Sequence, residues 1–183
     1  SVLSASTSFN SVISTSDKLG YLNVEPGQWA QLELSDYDFG EEITISFWAN
    51  GDSDYLPVNT SVVEAGDSLN NRIINIHFPW SNSRFYWDCG TGSGADRIDQ
   101  LAATEEIGGE WHHWAFTKNQ ATGIMNIYKD GALWLSGTDR NRMVGAVNKF
   151  ILGANRNLAN GWAGKLDEFR IWDVELDEAT IGS

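Results

Sequence analysis

The chain has 183 residues, 42% of them apolar and 12% aromatic, and its 25 acidic side chains against 12 basic ones give a formal net charge of −13. So acidic a surface repels nucleic acid and anionic lipid, and no basic stripe offsets it. A single cysteine, Cys89, excludes an intramolecular disulfide and any multi-cysteine zinc site, and no run of about 18 apolar residues offers a membrane-spanning helix, so membrane insertion is not expected.

The length suits one domain over 1–183. Nine tryptophans exceed the need of one core, so some are expected on display, as on a sugar-binding surface. The chain opens Ser-Val-Leu-Ser, without Met or a charged leader, and reads as a piece of a longer protein.

Residues 1–20, rich in Ser and Thr, read as a linker or an edge strand. Alternation predicts strands at Tyr21–Val24 and Trp29–Leu34, with a loop over Ser35–Gly40. Glu42–Asn50 is the clearest period-two run: Ile43, Ile45, Phe47 and Ala49 share one face, and Thr44, Ser46, Trp48 and Asn50 the other. Short strands follow at Ser61–Ala65, Asn71–Phe78 and Arg84–Cys89, then a Gly-rich loop and Asp96–Asp99; 101–109 holds a helical turn. Trp111–Lys118 and Ile124–Lys129 form a hairpin, and Asp130-Gly131 turns the chain into Ala132–Leu135. Gly145–Lys149 reads as a link and Phe150–Gly153 as a strand. In the last strand, Trp162–Trp172, Leu166 is out of phase with Phe169 and Ile171, which predicts a one-residue β-bulge near Asp167-Glu168. About a dozen short strands without a long amphipathic helix predict an all-β, two-sheet antiparallel sandwich.

Four motifs in order then resemble a known family: Ile43-Thr44-Ile45-Ser46-Phe47-Trp48, Trp111–Thr117, Ile127–Gly131 and Gly164–Trp172. Together they resemble the laminin-G-like, concanavalin-A-like jelly-roll domains over residues 20–181. The stretches Ile74–Ser81 and Tyr86-Trp87-Asp88 are similar to a subgroup in large extracellular bacterial proteins. The resemblance implies two curved antiparallel sheets, an extracellular, secreted or cell-surface setting, and binding of a glycan or a protein partner beside neighbouring domains of the same parent chain. It also implies calcium, held between an early strand and the last one, where Glu25 would face Asp167. By ligand chemistry alone, the oxygen-rich loop pairs Asp52/Asp54, Glu64/Asp67 and Asp96/Asp99 are further calcium candidates, none at EF-hand spacing.

A sugar site needs flat apolar rings beside directional polar groups. Trp80 and Trp87 supply rings, and His77, Asn82, Arg84, Tyr86, Asp88, Asp96 and Arg97 supply polar groups around the Pro79–Ser83 turn. Alternation limits the set: Arg84, Tyr86 and Asp88 share one face, Phe85, Trp87 and Cys89 the other. His112 and His113 are adjacent on a strand and cannot chelate one zinc together. No paired carboxylates at glycosidase spacing occur, nor a G-x-S-x-G elbow. Asn75-Ile76-His77 resembles the Gln-Ile-His strand of alginate-type lyases, but their Arg-rich partner strand is missing. The expectation is a non-catalytic carbohydrate-binding or adhesion module. The alternatives are a structural or protein-interaction module, and a polysaccharide lyase or glycosidase.

Overall fold

A computed structural model describes the backbone of Ser6–Asn10 and residues 20–183 apart from Ser93. Residues 1–5 and 11–19 lie outside the described residues. In chain order the strands are β1 (Ser6–Asn10), β2 (Leu22–Val24), β3 (Trp29–Asp38), β4 (Glu42–Gly51), β5 (Val63–Gly66), β6 (Arg72–His77), β7 (Arg84–Cys89) and β8 (Asp96–Leu101); a helical turn α1 (Thr104–Ile107); β9 (His112–Asn119), β10 (Ile124–Lys129), β11 (Ala132–Gly137), β12 (Ala146–Leu152) and β13 (Gly164–Trp172); and a last turn α2 (Glu178–Ile181). They form a seven-stranded sheet, β1-β3-β12-β5-β6-β7-β8, and a six-stranded sheet, β11-β10-β9-β4-β13-β2. Every pairing is antiparallel. The expected β-sandwich is the observed one, and Ser6–Asn10 takes the edge-strand option, pairing with β3.

The inner faces carry the core. Ile43, Ile45 and Phe47 of β4 and Trp114 and Phe116 of β9 meet Phe85, Trp87 and Cys89 of β7 with no measurable exposure. Burying each such large side chain contributes about 1.5–3 kcal/mol. Trp87 donates Nε1–H to the Thr117 carbonyl at 3.0 Å, so its one polar atom is satisfied inside. Burial pushes the Cys89 thiol up in pKa, keeping it neutral.

The local chemistry explains the joints. Asp130 and Gly131 both take positive φ (50° and 82°), as a two-residue hairpin turn that matches strand twist requires. The expected bulge is at Glu168, φ 49°: Asp167 opposes Trp48 and Arg170 opposes Ser46, so β13 spends one residue more than β4. Two boundaries differ from expectation by four residues. β3 runs on to Asp38 through Ser35 and Asp36, both at positive φ, because β12 pairs with it on either side of that irregularity. β12 likewise starts at Ala146, within the expected link.

Candidate functional site

The outer face of β5 to β8 is built from two cross-strand rows. Glu64, Asn75, Asp88 and Arg97 stand opposite one another across four strands, and His77, Tyr86 and Asp99 form the next row. Glu64, Asn75 and Asp88 are at most 1% exposed although they face outward. Long side chains cover them. Arg97 donates Nε–H and Nη2–H to the two Asp88 oxygens at 2.5 and 2.6 Å while its guanidinium lies 4.8 Å over the Tyr86 ring. Arg156, from the loop after β12, pairs with Glu64. Arg72 approaches Asp88 at 3.9 Å, and Arg84 pairs with Asp99. Four guanidinium groups thus face three carboxylates, a locally cationic patch on a chain of net charge −13.

The turn after β6 adds an aromatic wall. The Trp80 ring lies 4.3 Å from the His77 ring, and the turn is closed by Trp80 N–H donating to the Arg84 carbonyl at 2.9 Å. Asn82 donates Nδ2–H to Tyr86 Oη at 2.7 Å. Together with Asn155 and Asn160 these groups enclose a depression of about 370 Å³.

His77 is the pin of this surface. Its Nδ1 lies 2.5 Å from the Thr60 carbonyl, which can only accept, so Nδ1 carries the proton. Nε2 of the neutral ring then accepts from Asn75 Nδ2–H at 2.9 Å. Burial lowers the His77 pKa, consistent with a neutral ring. The same bond turns Asn75 Oδ1 away from His77, and that buried oxygen has no hydrogen-bond partner.

Seven of the sequence candidates, His77, Trp80, Asn82, Arg84, Tyr86, Asp88 and Arg97, therefore stand on one face. Two do not. Trp87 points into the core, because it alternates with Tyr86 and Asp88; it cannot stack a ligand on this surface. Asp96 sits in register with Cys89, and its carboxylate accepts from Lys118 Nζ and Arg142 N–H, each at 2.8 Å, away from the depression. Arg72, Arg156, Asn155 and Asn160 were not among the candidates. Pairing of β5 with β6 and the fold-back of the 153–163 loop bring them in, and neither leaves a local mark in the sequence.

The metal pair fails on register. β2 and β13 run antiparallel with Val24 opposite Gly164 and Leu22 opposite Leu166, so Glu25 and Asp167 lie beyond opposite ends of the ladder. That places them about 13 Å apart along the strands, too far to share an ion. Asp167 Oδ1 instead accepts from Glu168 N–H at 2.7 Å and holds the bulge. Among the described residues no three His, Cys, Asp or Glu side chains stand together as a metal site.

Solved structures similar to this chain include three botulinum neurotoxin domains. The receptor-binding domain of the C/D mosaic serotype aligns with a TM-score of 0.78 at 14% identity over 98% of this chain and 46% of that one. The serotype D ligand-binding domain, in complex with N-acetylneuraminic acid, gives 0.74 at 16% identity, over 98% and 45%. The serotype DC binding domain, in complex with rat synaptotagmin II, gives 0.75 at 15% identity, over 98% and 46%. The chain spans less than half the length of each. No curated protein matches it in sequence. A family model does, over residues 24–182, and by that match and by its fold the chain belongs to the concanavalin A-like lectin/glucanase superfamily, in its laminin-G-like branch.

Proposed function

We propose that the chain is a non-catalytic carbohydrate-binding module of a larger secreted or cell-surface protein, and that the β5–β8 face is its site. The observation that carries this reading is the convergence around one depression of a tilted indole, Trp80, with hydrogen-bonding groups from four strands. Sugar recognition needs both: a ring to lie against C–H faces and fixed polar atoms to read hydroxyls. At the level of the fold, one solved neighbour is in complex with N-acetylneuraminic acid. Calorimetry with an array of plant, algal and microbial glycans tests the proposal. Binding that Trp80→Ala and Arg97→Ala weaken supports it; no binding to any glycan, with or without calcium, sinks it.

A structural role without sugar specificity gains weight if Trp48, Trp80 and Trp134 are all buried. Trp48 is 37% exposed and the other two are half-buried, which favours recognition. The lyase alternative has one point in its favour: arginines from separate elements surround His77 and Tyr86, although no single strand is Arg-rich. For His77 to act as the base of an elimination, one ring nitrogen must keep a free lone pair to take the proton. On His77 one nitrogen donates to Thr60 and the other accepts from Asn75, so the site favours binding over proton abstraction. Incubation with uronate polymers should give no unsaturated product in the ultraviolet. Calcium remains a proposal for the loop carboxylates; a Tm raised by calcium and lowered by chelator would support it, and an unchanged Tm would remove it.

A further inference from the structure

We infer that the outer face of the six-stranded sheet carries a second, independent binding groove, and that its ligand is a short neutral oligosaccharide. The floor follows from register. On β4 the outward residues are Thr44, Ser46 and Trp48; opposite them stand Thr117, Ala115 and His113 on β9 and Trp172, Arg170 and Asp167 on β13. The middle of the face is thus made of small side chains on β4 and β9 with the exposed Arg170 beside them on β13, while indoles rise at both ends. Trp48 and Trp172 are separated by four strand residues, about 13 Å along the strand direction.

The wall is the C-terminal segment, held in place by its own bonds. Thr44 Oγ1 donates to the Val174 carbonyl at 2.7 Å and accepts from Leu176 N–H at 2.9 Å. Glu178 accepts from Leu133 N–H at 3.0 Å, and Ile181 packs on Ala115 and Tyr128. The trough between wall and sheet has a volume of about 450 Å³. A second depression of about 360 Å³ continues from it past Trp48 and Glu168 to Tyr21 and Trp111, whose rings meet edge to face at 5.8 Å. Trp48 and Trp111 are among the most exposed aromatic side chains described, at 37% and 36%.

The chemistry selects the occupant. Thr44, Ser46 and Thr117 are buried in the floor, but the exposed Glu168, Arg170 and Thr180 stand between the rings, which therefore do not form the continuous apolar patch that a protein interface core presents. They suit a chain of pyranose rings, whose C–H faces and hydroxyls alternate. The charges argue for neutrality. Arg170 is paired with Glu168 at 3.0 Å and Lys165 is held 5.4 Å over the Tyr21 ring, set against Asp167 at the bulge and Asp130 in the trough, so the groove carries no net excess of positive charge. An anionic polymer, or a second copy of a chain of net charge −13, is repelled. His113, beside Trp48 with ring centroids 5.5 Å apart, has a pKa lowered by burial and so offers one donor and one acceptor near neutral pH.

The test is an NMR titration of the full chain with cellohexaose, mannohexaose and laminarihexaose, following the tryptophan indole N–H signals. We expect at least one hexaose to shift the Trp48, Trp111 and Trp172 signals. Trp48→Ala should weaken it about tenfold, the scale of one lost aromatic contact, and Trp48→Phe should retain most of the affinity. Trp80→Ala, on the opposite face, should leave it unchanged, which separates this groove from the β5–β8 site. The inference is overturned if no hexaose moves these signals at millimolar concentration, if the shifts follow Trp80 instead, or if an oligolysine peptide binds the groove and the sugars do not.

Discussion

Lys118 is a fully buried ammonium whose charge is met by Asp96 and the Arg140 carbonyl. Removing its counter-ion strands a charge out of water, so Asp96→Ala should destabilise the fold by about 3–5 kcal/mol in urea unfolding. Asp88→Ala should cost less, about 1–2 kcal/mol. The guanidinium it frees on Arg97 is 44% exposed and can rehydrate. Equal losses for the two variants would contradict this ordering. His77 makes a pH prediction. Burial sets its folded pKa below the ordinary 6.5. The unfolded chain therefore takes up a proton that the folded chain resists, so stability is complete above about pH 6.5 and declines as pH falls toward the folded value. His113 shifts in the same direction. The urea midpoint should fall between pH 7 and 5, and His77→Gln should flatten that slope; a slope unchanged by the variant would remove His77 as its source.

The β10–β11 hairpin does more than reverse the chain. Gly131 sits at φ 82°, and a Cβ built there would lie 2.9 Å from Gly182 Cα in the C-terminal segment. Gly131→Ala combines left-handed strain with a backbone clash and should cost about 1–3 kcal/mol. It should also raise amide exchange across 176–182, because that segment must move to admit the methyl group; protection there equal to the parent would refute the coupling. Much of the element order is legible in the amino-acid sequence alone. β4, β6, β7 and β9 show clean alternation, and even the extra residue in β13 is implied by Leu166 against Phe169 and Ile171. The extension of β3 through Ser35 and Asp36 is not, since two polar residues at positive φ read locally as a loop. The site divides the same way. Tyr86, Asp88 and Arg97 can be placed by their own strands' alternation, which also assigns Trp87 inward. Arg156 and Asn155 reach the depression only through the pairing of β12 with β5, strands remote in sequence, which no local pattern encodes.

Charge acts on the protein as a whole. A net charge of −13 repels itself in the folded state more than in the expanded chain. Raising the ionic strength from about 0.01 to 0.15 M shortens the screening length from about 30 to 8 Å, which relieves repulsion between distant carboxylates. The ion pairs of the β5–β8 face respond less. Their acidic partners Glu64 and Asp88 are buried, and contact pairs such as Arg97–Asp88 at 2.5 Å lie well inside either screening length, as does the buried Lys118–Asp96 pair at 2.8 Å elsewhere in the fold. The sum of the two effects is a protein stabilised by salt, so Tm should rise with sodium chloride over this range at pH 7. A fall in Tm would mean that exposed attractive pairs outweigh the general repulsion. The same separation of charge predicts how the two faces differ toward ligands. The guanidinium-rich depression should lose affinity for a carboxylate-bearing sugar as salt increases, whereas the aromatic groove, which reads a neutral ligand, should hold its affinity constant within error. Parallel salt series with a uronate oligosaccharide and a neutral hexaose would measure both at once, and identical slopes would show that the two faces are not chemically distinct.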